Sequence, residues 1–354
     1  MKIKLSNLAN LSIVVSVIFA LMYFGQGILI PIVFSVILAF LLYPVCDILE
    51  SKLKFPRILS IITTYLLVII LFVGIGWFFG AQLMNLFKNI QSFGEEIRTL
   101  IKQLIETIDK EVLGPNISIR DFYLNGKSNL LSSSTNFLGK TIISSTNFLV
   151  YAVLIIVYTF LFLLYRTSFK VFILNRFGGD QEEEVQKFLF SVRRVSQKYF
   201  YGLFMIILIL GILNGTGLLI IGIDYPYLFG FLAALLAIIP YIGTFIGGML
   251  PTIYALINYD SIWMPVFVIM LYMGIQAIEG NILTPNIVGS RVSLNPLVAL
   301  VALITGGIIW GIAGMILFIP LTAVLKVVFD HFELTKPFGR LMGSDFRSLK
   351  KSNN

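Results

Sequence analysis

The stretch EGNILTPNIVGSRVSLNP, residues 279–296, concentrates groups that can do chemistry inside otherwise apolar sequence. Glu279 is an acid, and Gln276 lies one helical turn before it on nearly the same face. Asn281, Thr284 and Asn286 add neutral hydrogen-bonding groups, and Arg291 adds a base. Pro285 and Gly289 interrupt helical backbone here. A charge kept in apolar surroundings is costly and marks a functional candidate; an acid there can bind a cation or carry a proton. The structural alternative is that Glu279 caps a loop or pairs with Arg291.

The surroundings are apolar indeed. Between residues 199 and 325 only Asp224, Asp260, Glu279 and Arg291 carry charge. Asp224 and Asp260 stand beside Tyr-Pro and Asn-Tyr at the ends of apolar runs, as interfacial loop residues do. The whole chain has 354 residues, 58% hydrophobic and 12% charged, against about 25% charged in a soluble domain. Several runs exceed the roughly 20 apolar residues that cross a bilayer. The expected fold class is an all-α polytopic membrane protein, since the alternating strands of about 10 residues that build a β-barrel are missing.

The net charge of +8 sits at the ends of apolar runs, as topology signals do. Nucleic acid is therefore not an expected partner. A single cysteine, Cys46, excludes an internal disulfide and a cysteine metal cluster. The lone His331 excludes a multi-histidine site. Gly139, Lys140 and Thr141 look like the end of a phosphate-binding loop, but Ser134 stands where its first glycine should be. No catalytic triad is visible. Neither a metal, a cofactor nor an enzymatic activity is expected.

Six full membrane helices are expected at about 8–24, 28–49, 58–85, 144–165, 199–222 and 261–280. The first follows Lys2 and Lys4 and has no small-x-small cleavage site before the next apolar run, so it reads as a membrane helix and not a signal peptide. Residues 1–85 form an N-terminal helical unit. Residues 86–143 are an extracytoplasmic stretch that opens as an amphipathic helix, with Ile90, Phe93, Ile97, Leu100, Ile101 and Leu104 at helical spacing, and ends at Gly114-Pro115. It contains STNFL at 134–138, repeated at 145–149; three turns separate the copies, as at a helix–helix contact. Residues 144–198 pair a membrane helix with a basic linker. Its Glu182, Glu183 and Glu184 open an amphipathic helix that fits along the inner membrane surface. Residues 199–328 form a C-terminal unit, and 329–354 a tail. The basic residues of 50–57, 166–198 and the tail place both termini in the cytoplasm.

Two segments of the C-terminal unit are too long for one straight pass. Residues 227–257 and 296–328 number 31 and 33, about 50 Å each if straight, against about 30 Å of hydrocarbon. The first is broken at Pro240, Gly243, Gly247 and Gly248, the second at Gly306, Gly307, Gly311 and Gly314. They share a weak internal repeat, LAALLAII beside LVALVALI. Paired broken segments point to a transporter binding site. Each is either a re-entrant hairpin or a kinked helix, and a hairpin would place 281–295 in the cytoplasm.

The segments IIPYIGTFIGGMLPTIYAL and EGNILTPNIVGSRVSLNPLVALVALITGGIIWGIAGMILFIPLTAVL closely resemble the autoinducer-2 exporter family of bacterial membrane transporters. The layout agrees over nearly the full chain. The family's motif maps onto Pro240, Gly243, Gly247, Gly248 and Pro251, and onto Glu279, Asn281, Pro285, Gly289, Pro296, Gly306, Gly307, Gly311, Gly314 and Pro320. The resemblance implies a secondary transporter of the bacterial cytoplasmic membrane, assembled as a homo-oligomer, plausibly a pentamer. Some members look like exporters of the furanosyl signal autoinducer-2; others are reported as sodium(lithium)/proton antiporters. The expected function is ion- or proton-coupled export of a small polar solute such as autoinducer-2, with cation/proton antiport as the alternative. Glu279 would couple the two movements, and Gln276, Asn281, Thr284, Asn286 and Arg291 would surround it.

Overall fold

In lipid the backbone has no water to bond, so apolar runs satisfy it internally as helix. The computed structural model describes residues 5–108, 149–179, 182–239, 242–284, 286–287 and 294–343, and they are helical nearly throughout. In order these are α1 (Leu5–Phe24), α2 (Gln26–Ser51), α3 (Arg57–Ile108), α4 (Leu149–Leu164) and α5 (Arg166–Phe177). Then follow α6 (Glu182–Ile221), α7 (Pro226–Leu236), α8 (Ile242–Asn258) and α9 (Trp263–Ile278), the last running into a π-helical turn, Glu279–Leu283. The chain ends with α10 (Pro296–His331) and α11 (Lys336–Met342). The six expected through-helices are α1, α2, α3, α4, α6 and α9. Both STNFL copies up to residue 148, the Gly114-Pro115 stop and the last eleven residues lie outside the described residues.

One expectation is corrected. The amphipathic stretch after Glu182 is not a separate surface helix; it continues without a break into the apolar run as one 40-residue helix. No glycine or proline lies between residues 182 and 201 to stop it. The helix that turns aside is α5, bent 61° from α4. Arg57 holds that corner, donating to the Leu164 carbonyl at 3.2 Å and to Thr167 Oγ1 at 3.0 Å, so it satisfies one of the carbonyls orphaned at the helix end.

Both broken segments are helical hairpins. The 36-residue α10 has the length of a span, yet Gly311 sits at φ 60° and ψ −139°, a region that glycine enters without a Cβ clash. The chain reverses there. Gly306 and Gly314 then meet so closely that a Cβ on either would overlap the other's backbone. Leu294 and Ala323, far from the apex on opposite arms, pack in one cluster with Tyr199 of α6. Beside the apex, Trp310 Nε1 donates to the Met22 carbonyl at 2.8 Å, and its ring packs with Ile37, Ala302 and Phe318.

The first hairpin is α7 and α8. Its base closes on Phe229 and Tyr254, with ring centroids 5.2 Å apart, beside Leu218 and Ile223. Gly230 of α7 rests on the Gly215 backbone of α6, where a Cβ would not fit. Small residues of this kind matter in lipid because apolar burial between helices gains little and close packing must carry the contact. The bases of the two hairpins lie at Leu218 and Tyr199 of α6, 19 residues and therefore about 28 Å apart along its axis. The hairpins thus enter the bundle from opposite ends.

Candidate functional site

Four helices bring polar groups together where the first hairpin ends. Leu210 and Asn214 of α6, Ala233 of α7, Ala237 in the turn after it, Thr244 of α8, and Tyr272, Ile275, Gln276 and Glu279 of α9 line one cavity of about 20 Å³. That volume holds a water molecule or a small ion. Leu210 and Asn214 stand near the middle of the apolar part of α6, so the cavity lies near mid-depth. The α7 arm has 11 residues, about 16 Å of helix and half a hydrocarbon layer. This short arm is what brings the apex to Glu279.

Glu279 is half-buried, and its Oε2 accepts from Gln276 Nε2 at 2.9 Å. The Thr284 side chain lies close to the carboxyl. The helix widens into its π turn at Glu279 itself, and such turns recur at functional sites. Two further residues of the lining carry orphaned atoms. Asn214 Oδ1 and the Tyr272 hydroxyl are both buried without a hydrogen-bond partner among the described residues. Buried polar atoms are nearly always paired, so two orphans on one cavity with a carboxylate need a reason. Together they can offer a bare cation three oxygens, or hold a water that passes a proton.

The expected residues divide. Glu279 and Gln276 line the cavity, and Thr284 lies close to the Glu279 carboxyl without lining it. Asn281 and Asn286 are exposed and donate back to the Ala277 and Ile282 carbonyls at 2.9 and 2.8 Å. Pro240, Pro285, Gly289 and Arg291 lie outside the described residues. Gly243 and Gly247 hold the arms of the first hairpin together against Leu236 and Ala233, and Gly248 packs on Tyr272. Pro251 and Pro320 are fully buried within helices. Gly306, Gly307, Gly311 and Gly314 do not line the cavity; the second hairpin packs on α1, α2 and the other end of α6. The paired segments therefore do not share one pocket.

Sequence reasoning missed Asn214 and Tyr272. Asn214 had a signal, an amide in the apolar run 205–221, where polar side chains are costly. Tyr272 had one too, its place two turns before Glu279 on the same helix. Asp224 behaves as expected, at the end of α6, accepting from the Tyr254 hydroxyl at 3.3 Å and donating its backbone N–H to Tyr259 Oη at 3.0 Å. Burial pushes the Tyr259 phenol above its ordinary range, so it stays neutral in this knot.

Residues 11–334 match the model of the AI-2E family transporter. The chain belongs to the AI-2E transporter family. Among its relatives, the Bacillus subtilis protein named "Putative transport protein YrrI" is 32% identical over 87% of this chain and 87% of its own. A second from the same organism, "Putative transport protein YueF", is 29% identical over 84% and 82%. The Escherichia coli "AI-2 transport protein TqsA" is 22% identical over 87% of each chain. Family membership, the apolar helices and these bacterial relatives make this AI-2E chain a multi-pass membrane transporter set in a bacterial bilayer.

Proposed function

We propose that the chain is a secondary active transporter that exports a small polar solute such as autoinducer-2, with Glu279 coupling that movement to protons or a monovalent cation. The observation that carries this reading is that Glu279, Asn214 and Tyr272 line one cavity at mid-depth, with Asn214 Oδ1 and Tyr272 Oη unpartnered among the described residues. The name of the Escherichia coli relative supports the solute class. The cavity is the coupling site, because about 20 Å³ is too small for a furanosyl solute. Solute moves when the C-terminal unit shifts against the N-terminal helices, within a homo-oligomer. Both termini face the cytoplasm, as the basic residues direct.

A second reading, sodium(lithium)/proton antiport, is favoured by the same cavity size. The test uses protein in tight liposomes containing a pH-sensitive dye. A pH gradient is imposed, then sodium or lithium is added. A cation-dependent pH change lost in Glu279→Gln establishes antiport. A flat trace, with autoinducer-2 efflux that Glu279→Gln abolishes, establishes coupled export. Both activities intact in Glu279→Gln sink the coupling role.

A further inference from the structure

A second, larger cavity opens at the basic end of the bundle, between α2, α4, α5 and the polar half of α6. It encloses about 480 Å³, within the roughly 300–1,000 Å³ of small-molecule sites. Its walls are mostly apolar, with Phe40, Phe162, Phe169, Ile173, Leu189 and Phe190 among them. Three cations also line it: Arg166, Lys170 and Arg193. Only Arg166 has an ionic partner, Glu50; Lys170 and Arg193 form no ion pair among the described residues. The guanidinium of Arg193 lies 3.5 Å from the centre of the Tyr43 ring, and that of Arg166 lies 4.7 Å from it. Arg193 Nε and Arg166 Nη1 are buried without a hydrogen-bond partner among the described residues.

Two guanidiniums of like charge flank one ring, and the Glu50 carboxylate pairs with Arg166 alone, which leaves Arg193 and Lys170 without an anion among the described residues. Orphaned donors in a buried place ask for an acceptor of the same kind. The walls ask for something else, a chain of apolar atoms. The setting supplies both. The cavity sits at the corner where α4 leaves the bilayer direction and α5 turns by 61°. Along α5, Phe169, Phe172 and Phe177 are exposed between basic residues, which is how a helix lying at a membrane surface is built. Basic pockets between membrane helices at this depth suit anionic lipid headgroups.

We infer that this groove is a binding site for an anionic phospholipid, its phosphate held by Arg193, Lys170 and Arg166 and an acyl chain laid along Phe40, Phe162 and Leu189. The site is separate from the Glu279 cavity, with which it shares no lining residue. Full-length protein in mild detergent is titrated with phosphatidylglycerol or phosphatidylcholine, and bound lipid is counted by native mass spectrometry. One phosphatidylglycerol per chain is expected to bind in preference, and Lys170→Gln with Arg193→Gln should weaken it by about tenfold. Arg193→Lys should restore most of the preference. Lys187→Gln, on the solvated face of α6, should change nothing. Equal binding of both lipids, or an equal loss in Lys187→Gln, overturns the assignment. So does competition by glycerol phosphate as strong as by the intact lipid, which would leave the apolar walls without a role. A change in subunit count without a change in lipid count also overturns it, since the groove would then seat a second copy.

Discussion

Gly306 and Gly314 touch backbone to backbone across the reversal at Gly311. In a continuous helix these two residues, eight positions apart, would be about 12 Å from each other. This single contact turns an apparent membrane span into a hairpin with both ends on one side.

Gly314→Ala should therefore destabilise the protein by about 1–3 kcal/mol through overpacking. The added methyl meets the Gly306 backbone, which cannot move aside as a side chain would. Gly74→Ala should be neutral or mildly stabilising, because a Cβ there meets nothing within 4 Å and alanine favours helix. Thermal unfolding in detergent separates the two, and equal transitions would contradict the close approach.

Gln276→Leu removes a donor from Glu279 without touching the charge. A hydrogen bond to a charged group is worth about 1.5–3 kcal/mol, so the apparent affinity for the coupling cation should fall by about ten- to a hundredfold. Flux against cation concentration in liposomes measures it. Glu279→Gln should instead abolish coupling at every concentration. Activity that needs the ionised carboxylate makes wild-type coupling fall as pH falls.

Asn214→Leu and Tyr272→Phe test the orphaned atoms. Each removes a buried polar atom that the folded chain leaves unbonded, so stability should rise by about 1 kcal/mol or more. Coupling should weaken in the same variants, because the ion or water loses an oxygen. A gain in stability without a loss of coupling would show that the cavity is only a packing defect.

Asp260→Cys and Glu333→Cys examine the opposite entry of the two hairpins. Both positions are exposed, and native Cys46 is fully buried, so it should stay unlabelled. An impermeant thiol reagent applied to intact cells should mark Asp260→Cys and leave Glu333→Cys for lysed cells. Labelling of both from one side would overturn the opposed arrangement.

Much of this could be read from residue order alone. Six apolar runs, two over-long segments and an acid at the edge of the break between them are composition and spacing, and these determined the membrane class, the helices and the choice of Glu279. Gly311 could be named as a break, because a glycine in a long apolar helix has few other uses. Which kind of break it makes could not be read. A kink and a reversal differ by one pair of dihedral angles, and local sequence favours neither; the packing of Trp310 on α1 and of Leu294 on Tyr199 chose the reversal. The partners of Glu279 show the same limit. Gln276 is a neighbour on the same helix, so its contact follows from helical period. Tyr272 stands two turns before Glu279 on the same helix, so its place follows from the same period. Asn214 joins them only because α6 and α9 close around the tip of a half-depth hairpin, and groups 65 residues apart have no local signature of contact. The sequence by itself settled what each segment would be, since lipid forces apolar backbone into helix. Only the tertiary structure decided which polar atoms share a cavity, since that depends on where helix faces of equal greasiness come to rest.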